Sequence, residues 1–167
     1  MPMKILFLDI DGVMVLDPHK SKVEGVHGHD PFYKPSVEAI NHIISSTKCK
    51  IVISSGWRRF FDFEQMQEIF RWNGVQDVPI GFTQDYEADE KVPTPGRELE
   101  RLRCREVLSW LRAHDTNGRL SWCAVDDMDL GFQLYKFVRC PDINSGLSYP
   151  GVPQKVISIL NGASSEA

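Results

Sequence analysis

The chain has 167 residues, 42% hydrophobic and 25% charged, which suits one compact domain with a substantial core. A formal net charge of -4 gives no global attraction to polyanions, so any nucleic-acid contact would need a local basic patch. The four cysteines (Cys49, Cys104, Cys123, Cys140) lack Cys-x-x-Cys or Cys/His ligand spacing, which argues against a zinc site or disulfide framework and for reduced, mostly buried thiols in a cytosolic protein.

Residues 4–10 form a short, almost wholly apolar run, the pattern of a strand covered on both faces. Asp9 stops its apolar core, leaving it too short for a signal peptide or a membrane span. Pro35 sits where a first helical turn accepts proline, and Val37, Ile40, Ile43 and Ile44 then mark one helical face. Residues 50–54 read as a second buried strand. Phe63, Met66, Ile69 and Phe70 give another helical stripe, ended by Asn73-Gly74. The breakers Pro79, Gly81, Pro93, Pro95 and Gly96 leave room in 75–96 for a short strand and a loop. A third helix is predicted over about 97–113 with Leu99, Leu102, Leu108 and Leu111 inward, then strands at 122–125 and 136–140, and a closing helix at Val152–Leu160. Strands alternating with helices predict an α/β, Rossmann-like three-layer sandwich with a mainly parallel sheet. The expected organisation is a single domain over residues 1–161, with 162–167 a frayed tail.

In such a sheet, chemistry belongs at the carboxyl ends of the strands. The first strand ends in Asp9-Ile10-Asp11-Gly12-Val13, the second in Ser54-Ser55-Gly56-Trp57-Arg58, and a later one in Asp126-Asp127. One such end alone would be a turn. Three together bring two acid pairs and a hydroxyl pair to one edge, and paired acids raise each other's pKa unless a cation lies between them. Oxygen ligands, few in number and shared with a phosphate, suit Mg2+ better than zinc.

These stretches resemble motifs of the haloacid dehalogenase superfamily: Asp9–Val13 its first, Ser54 its second, Asp126-Asp127 its fourth. More narrowly, the segments IVISSGWR (51–58) and CREVLSWL (104–111), with Gly146-Leu147, resemble the small domains of that superfamily in bacterial Swiss Army Knife RNA-repair proteins. The resemblance implies that Asp9 attacks phosphorus to form an aspartyl-phosphate, while Asp11 is the general acid and base. It further implies Mg2+ held by Asp9, the Asp11 main-chain carbonyl and Asp126, with Ser54 donating to a phosphoryl oxygen. Asp127 is either a second, water-mediated ligand or a surface residue. The third motif needs a Lys or Arg; Lys91, Arg97, Arg101, Arg103 and Arg105 lie in the right interval, and the narrower resemblance selects Arg103, with Arg105 next. Ser55, Gly56 and Arg58 are expected at the substrate, with plain ion pairing the alternative for Arg58. Gly12 would permit the bend that brings Asp9 and Asp11 to one phosphate.

Arg97, Arg101 and Arg105 fall at i, i+4 and i+8, the spacing of a solvated helical stripe. His27-Gly28-His29-Asp30 reads as a mobile polar flap, His42 and His114 as surface positions, and Phe60, Phe61, Phe63, Phe70 and Trp72 as core. The intervals between Asp11 and Pro35 and between Gly74 and Arg97 are too short for a packed cap domain. An open site suits a bulky phosphorylated substrate such as a polynucleotide end, a protein or a glycan, or a small phosphoester covered by a partner subunit. No membrane partner is expected. The competing readings are a non-catalytic binding module, which would lack Asp9 or Asp11, and a metal-free dehalogenase, which the second aspartate and the acidic pair oppose.

Overall fold

A computed structural model describes residues 2–17, 29–86 and 97–162. Its five strands, β1 (Lys4–Leu8), β2 (Lys50–Ile53), β3 (Gly81–Phe82), β4 (Ser121–Asp126) and β5 (Phe137–Arg139), form one parallel sheet in the order β3-β2-β1-β4-β5. Among the described residues four α-helices join them: α1 (Lys34–Thr47), α2 (Phe63–Trp72), α3 (Arg97–His114) and α4 (Val152–Leu160).

Strand alternation decides what each helix covers. Ile5, Phe7, Val52, Trp122 and Ala124 point to one face and pack with Cys104 and Val107 of α3. Leu6, Leu8, Ile51, Ile53, Cys123 and Val125 point to the other, against Ile40 of α1, Met66 and Phe70 of α2, and Val156 of α4. Each Val, Leu, Ile, Phe or Met among these contributes roughly 1.5–3 kcal/mol on full burial. The arrangement is the expected three-layer α/β sandwich, and all four cysteines are buried and free.

Local chemistry sets the helix ends. Pro35 lies in the first turn of α1, and the left-handed Lys48 (φ 60°) closes it, its N–H donating to the Ile44 carbonyl at 2.8 Å. Asp62 and Gln65 form a reciprocal capping box at the start of α2, worth about 1 kcal/mol. Gly146 (φ 52°) follows from packing: a Cβ there would meet the Val13 carbonyl oxygen at 2.5 Å.

Several expectations need correction. β1 stops at Leu8 rather than 10, because the Ile10 carbonyl instead accepts from the N–H groups of Val13, Met14 and Val15 (2.8–3.1 Å). The buried face of α3 is Leu102, Arg103, Cys104, Glu106 and Val107; Leu108 and Leu111 are only partly buried beside it. Of the aromatics assigned to the core, Phe70 belongs there, while Phe60, Phe63 and Trp72 are exposed and Phe61 is half-buried. His29 is buried among the rings of Phe32, Trp57, Phe61 and Trp72, not part of a polar flap. His42 and His114 are exposed, as predicted. His27, Gly28, Lys91 and the tail from 163 onward lie outside the described residues.

Candidate active site

The chain winds outward from β1 through β2 to β3, then crosses back to β4 and β5. The winding therefore reverses between β1 and β4, and such a reversal opens a crevice at the carboxyl ends of the strands. Leu8 lies opposite both Ile53 and Val125, so Asp9, Ser54 and Asp126 all fall one residue beyond a single row. Backbone bonds hold that level: Asp9 N–H donates to the Val125 carbonyl (3.1 Å), and Ser54 N–H to the Leu8 carbonyl (2.9 Å).

Carboxylate oxygens of Asp9, Asp126 and Asp127 all lie within 4.8 Å of one another. Gly12 makes this approach possible. Its φ is 79°, and a Cβ built on it would stand 2.4 Å from Asp127 Oδ2. Asp11, two residues past Asp9, is exposed at the mouth of the turn.

Arg103 enters from α3. Its Nη1 donates to Asp126 Oδ2 (2.8 Å) and to the Ser54 carbonyl (2.8 Å), and lies 3.3 Å from Asp9 Oδ1. Among the basic residues weighed for the third motif that are described, this is the one ion-paired to Asp9 and Asp126. Ser54 Oγ is buried with no hydrogen-bond partner, an acceptor or donor left over for a ligand.

Burial raises the pKa of Asp9 well above the usual carboxylate range; Asp126 adds to the effect and Arg103 opposes it. Burial likewise pushes Asp126 up to about 6 against the pull of Arg103. Burial opposes the charge on Arg103, yet Asp126, Asp9 and Glu106 outweigh it and raise its pKa. Three clustered carboxylates thus face one guanidinium, and the excess negative charge is what a divalent cation relieves. Carboxylate oxygens alone, with a neighbouring hydroxyl unsatisfied, fit Mg2+ beside a phosphate.

The remaining predicted site residues divide. Ser55 caps the 3-10 turn Gly56–Arg59, its Oγ accepting from Trp57 N–H (3.3 Å), and Gly56 has open space where a Cβ would be. Arg58 takes the ion-pairing alternative: its Nε donates to the Ser55 carbonyl (2.6 Å), its Nη1 to both oxygens of Thr83, and its Nη2 to Glu106 at 3.3 Å. Arg105 is exposed and stacks over Tyr86, 4.5 Å from the ring centroid. Arg97 and Arg101 are exposed and paired with Glu100 and Glu98.

Sequence reasoning missed Glu106, which is 2% exposed between Arg58 and Arg103 and also accepts from Tyr86 N–H (3.0 Å). Burial raises its pKa, while the two guanidiniums hold it down. The available signal was its position three residues after Arg103, on the same helical face.

Among the described residues no helix is long and apolar enough to cross a membrane. No curated protein matches the chain. The family described as the HAD domain in Swiss Army Knife RNA repair proteins matches residues 5–152, which contain every strand from Ile5 onward and the whole carboxylate cluster. The chain therefore belongs to that family of haloacid-dehalogenase domains.

Proposed function

We propose that this protein is a Mg2+-dependent phosphomonoester hydrolase working through an aspartyl-phosphate on Asp9. The observation that carries the proposal is the convergence, at the β1/β4 crevice, of three carboxylates, the Arg103 guanidinium and the unpartnered Ser54 hydroxyl. Asp9 supplies a carboxylate oxygen to phosphorus as the bond from phosphorus to the leaving oxygen breaks. Asp11 gives its proton to that oxygen, then takes one from the water that cleaves the acyl phosphate, releasing inorganic phosphate and restoring both side chains. Ser54 Oγ and Arg103 donate to the phosphoryl oxygens. Asp9, Asp126, Asp127 and the Asp11 carbonyl would hold Mg2+, which when bound offsets carboxylate–phosphate repulsion and aligns the in-line displacement.

The family description favours a phosphorylated RNA end as substrate, and the short sequence intervals from Asp11 to Pro35 and from Gly74 to Arg97 agree with a large one. The buried free thiols suit a reducing, cytoplasmic setting. Turnover of an aryl phosphate by wild type and Asp9→Asn, each with and without Mg2+, tests the core of the reading. Wild type should turn over only with metal, and Asp9→Asn should be inactive with an unchanged circular dichroism spectrum. Near-normal turnover by folded Asp9→Asn removes the proposed nucleophile; inactivity of wild type on any phosphoester favours a binding module.

A further inference from the structure

One face of α2 carries a cavity that the proposed chemistry does not use. Gln65, Glu68, Ile69, Arg71 and Trp72 of α2 line it together with Phe61, just before the helix, and His29, around about 580 Å³. A second cavity of about 470 Å³, lined in part by Lys34 and Glu38, also includes Trp72, so this 45% exposed indole is common to both. The lining is aromatic with polar groups at the rim. His29 holds the Asp30 carbonyl oxygen 2.7 Å from Nδ1, while its buried Nε2 has no hydrogen-bond partner.

We infer that this groove binds a nucleobase of a single-stranded polynucleotide whose terminal phosphate lies at Asp9. The inference rests on the phosphatase reading for its second half only. Aromatic walls stack on any base, and Gln65, Glu68 and His29 offer the mixed donors and acceptors that a base edge needs. Glu68 and Arg71 line the first cavity, and Lys34 and Glu38 the second, so neither lining carries net charge and a neutral heterocycle with an aromatic face fits better than a free phosphate. The groove adjoins the catalytic edge through the chain itself. Trp57, three residues after Ser54, packs its ring 5.9 Å from His29 and 5.5 Å from Phe61. Trp57 belongs to the turn Gly56–Arg59, which begins two residues after Ser54 and rises only roughly 8 Å in all, at about 2 Å per residue.

The test is a fluorescence titration of the full chain with an unphosphorylated single-stranded oligoribonucleotide, comparing wild type, Trp72→Phe and Trp72→Ala. Affinity should fall roughly tenfold or more in Trp72→Ala, the loss expected of one base–aromatic stack, and stay near wild type in Trp72→Phe. Quenching by a nucleobase should also persist with adenosine as the only ligand. Equal affinity of wild type and Trp72→Ala, checked by anisotropy of a labelled oligonucleotide, overturns the inference. Should Trp72→Ala misfold, Glu68→Arg decides: added positive charge at an empty rim would tighten binding, whereas replacing a base-edge contact weakens it. Wild-type aryl phosphate turnover is measured separately. Turnover without Trp72-dependent binding sinks the groove alone, and Trp72-dependent binding without any turnover sinks the catalytic reading alone.

Discussion

Replacing Arg103 with alanine should destabilise the protein in a pH-dependent way. The guanidinium lies within 3.3 Å of Asp9 and 2.8 Å of Asp126, both almost fully buried, and 3.7 Å from Glu106. Removing one partner from a buried ionic cluster costs about 3–5 kcal/mol. With a urea slope of about 2 kcal/mol per molar, the unfolding midpoint should drop by about 1.5–2.5 M at pH 7.5 without metal. The sign with pH follows from the carboxyls. Asp9 and Asp126 have folded-state pKa values raised above the unfolded value of 3.8, to about 6 for Asp126. The folded protein therefore holds more protons than the unfolded chain between 3.8 and about 6, and stability falls as pH rises through that window. Without Arg103 both pKa values climb further and the fall extends to higher pH. At pH 5 the carboxyls keep their protons, so the deficit of Arg103→Ala relative to wild type should shrink. Urea melts at pH 5.0 and 7.5 read this directly. An equal deficit at both pH values would mean that lost packing, not the buried carboxylates, sets the cost.

Chelation should abolish phosphoester turnover, Mg2+ should restore it, and Ca2+ should restore it poorly because its larger, looser coordination shell misplaces the nucleophile; full activity in excess chelator would point to another reaction class. Gly12→Ala should raise the half-saturating Mg2+ concentration and cost roughly 1–2 kcal/mol from its positive φ, before the clash with Asp127 is counted. Calorimetry of Gly12→Ala against Gly12→Ala/Asp127→Ala separates the two causes, since only the clash is relieved in the double variant. Arg101→Ala, which removes an exposed pair with Glu98, should shift stability by about 0–1 kcal/mol and leave aryl phosphate turnover unchanged; a large kinetic effect in a steady-state assay would contradict a merely solvated position.

The sheet was legible because its strands are short runs of apolar residues ending in polar ones, a pattern set locally by burial on both faces. Arg103 was selected through resemblance; helical spacing set Arg97, Arg101 and Arg105 on one stripe apart from it but gave it no role. What escaped was long-range compensation. Glu106 reads as a solvated helix residue until Arg58, forty-eight positions earlier, is seen 3.3 Å away. The aromatics from Phe60 to Trp72 have the spacing of a buried stripe, yet α2 buries only Met66, Ile69 and Phe70 and leaves the other rings at its margin. His29 was misjudged because its neighbours are polar in sequence but aromatic in space.

The common level of Asp9, Ser54 and Asp126 has a consequence for how such a site can change over time. Their spacing is dictated by main-chain pairing between β2, β1 and β4, to which the side chains themselves contribute nothing. A replacement at any of the three leaves its neighbours standing at the same height on adjacent rungs. New reactivity can therefore be tried one rung at a time, without redesigning the loops or realigning the sheet.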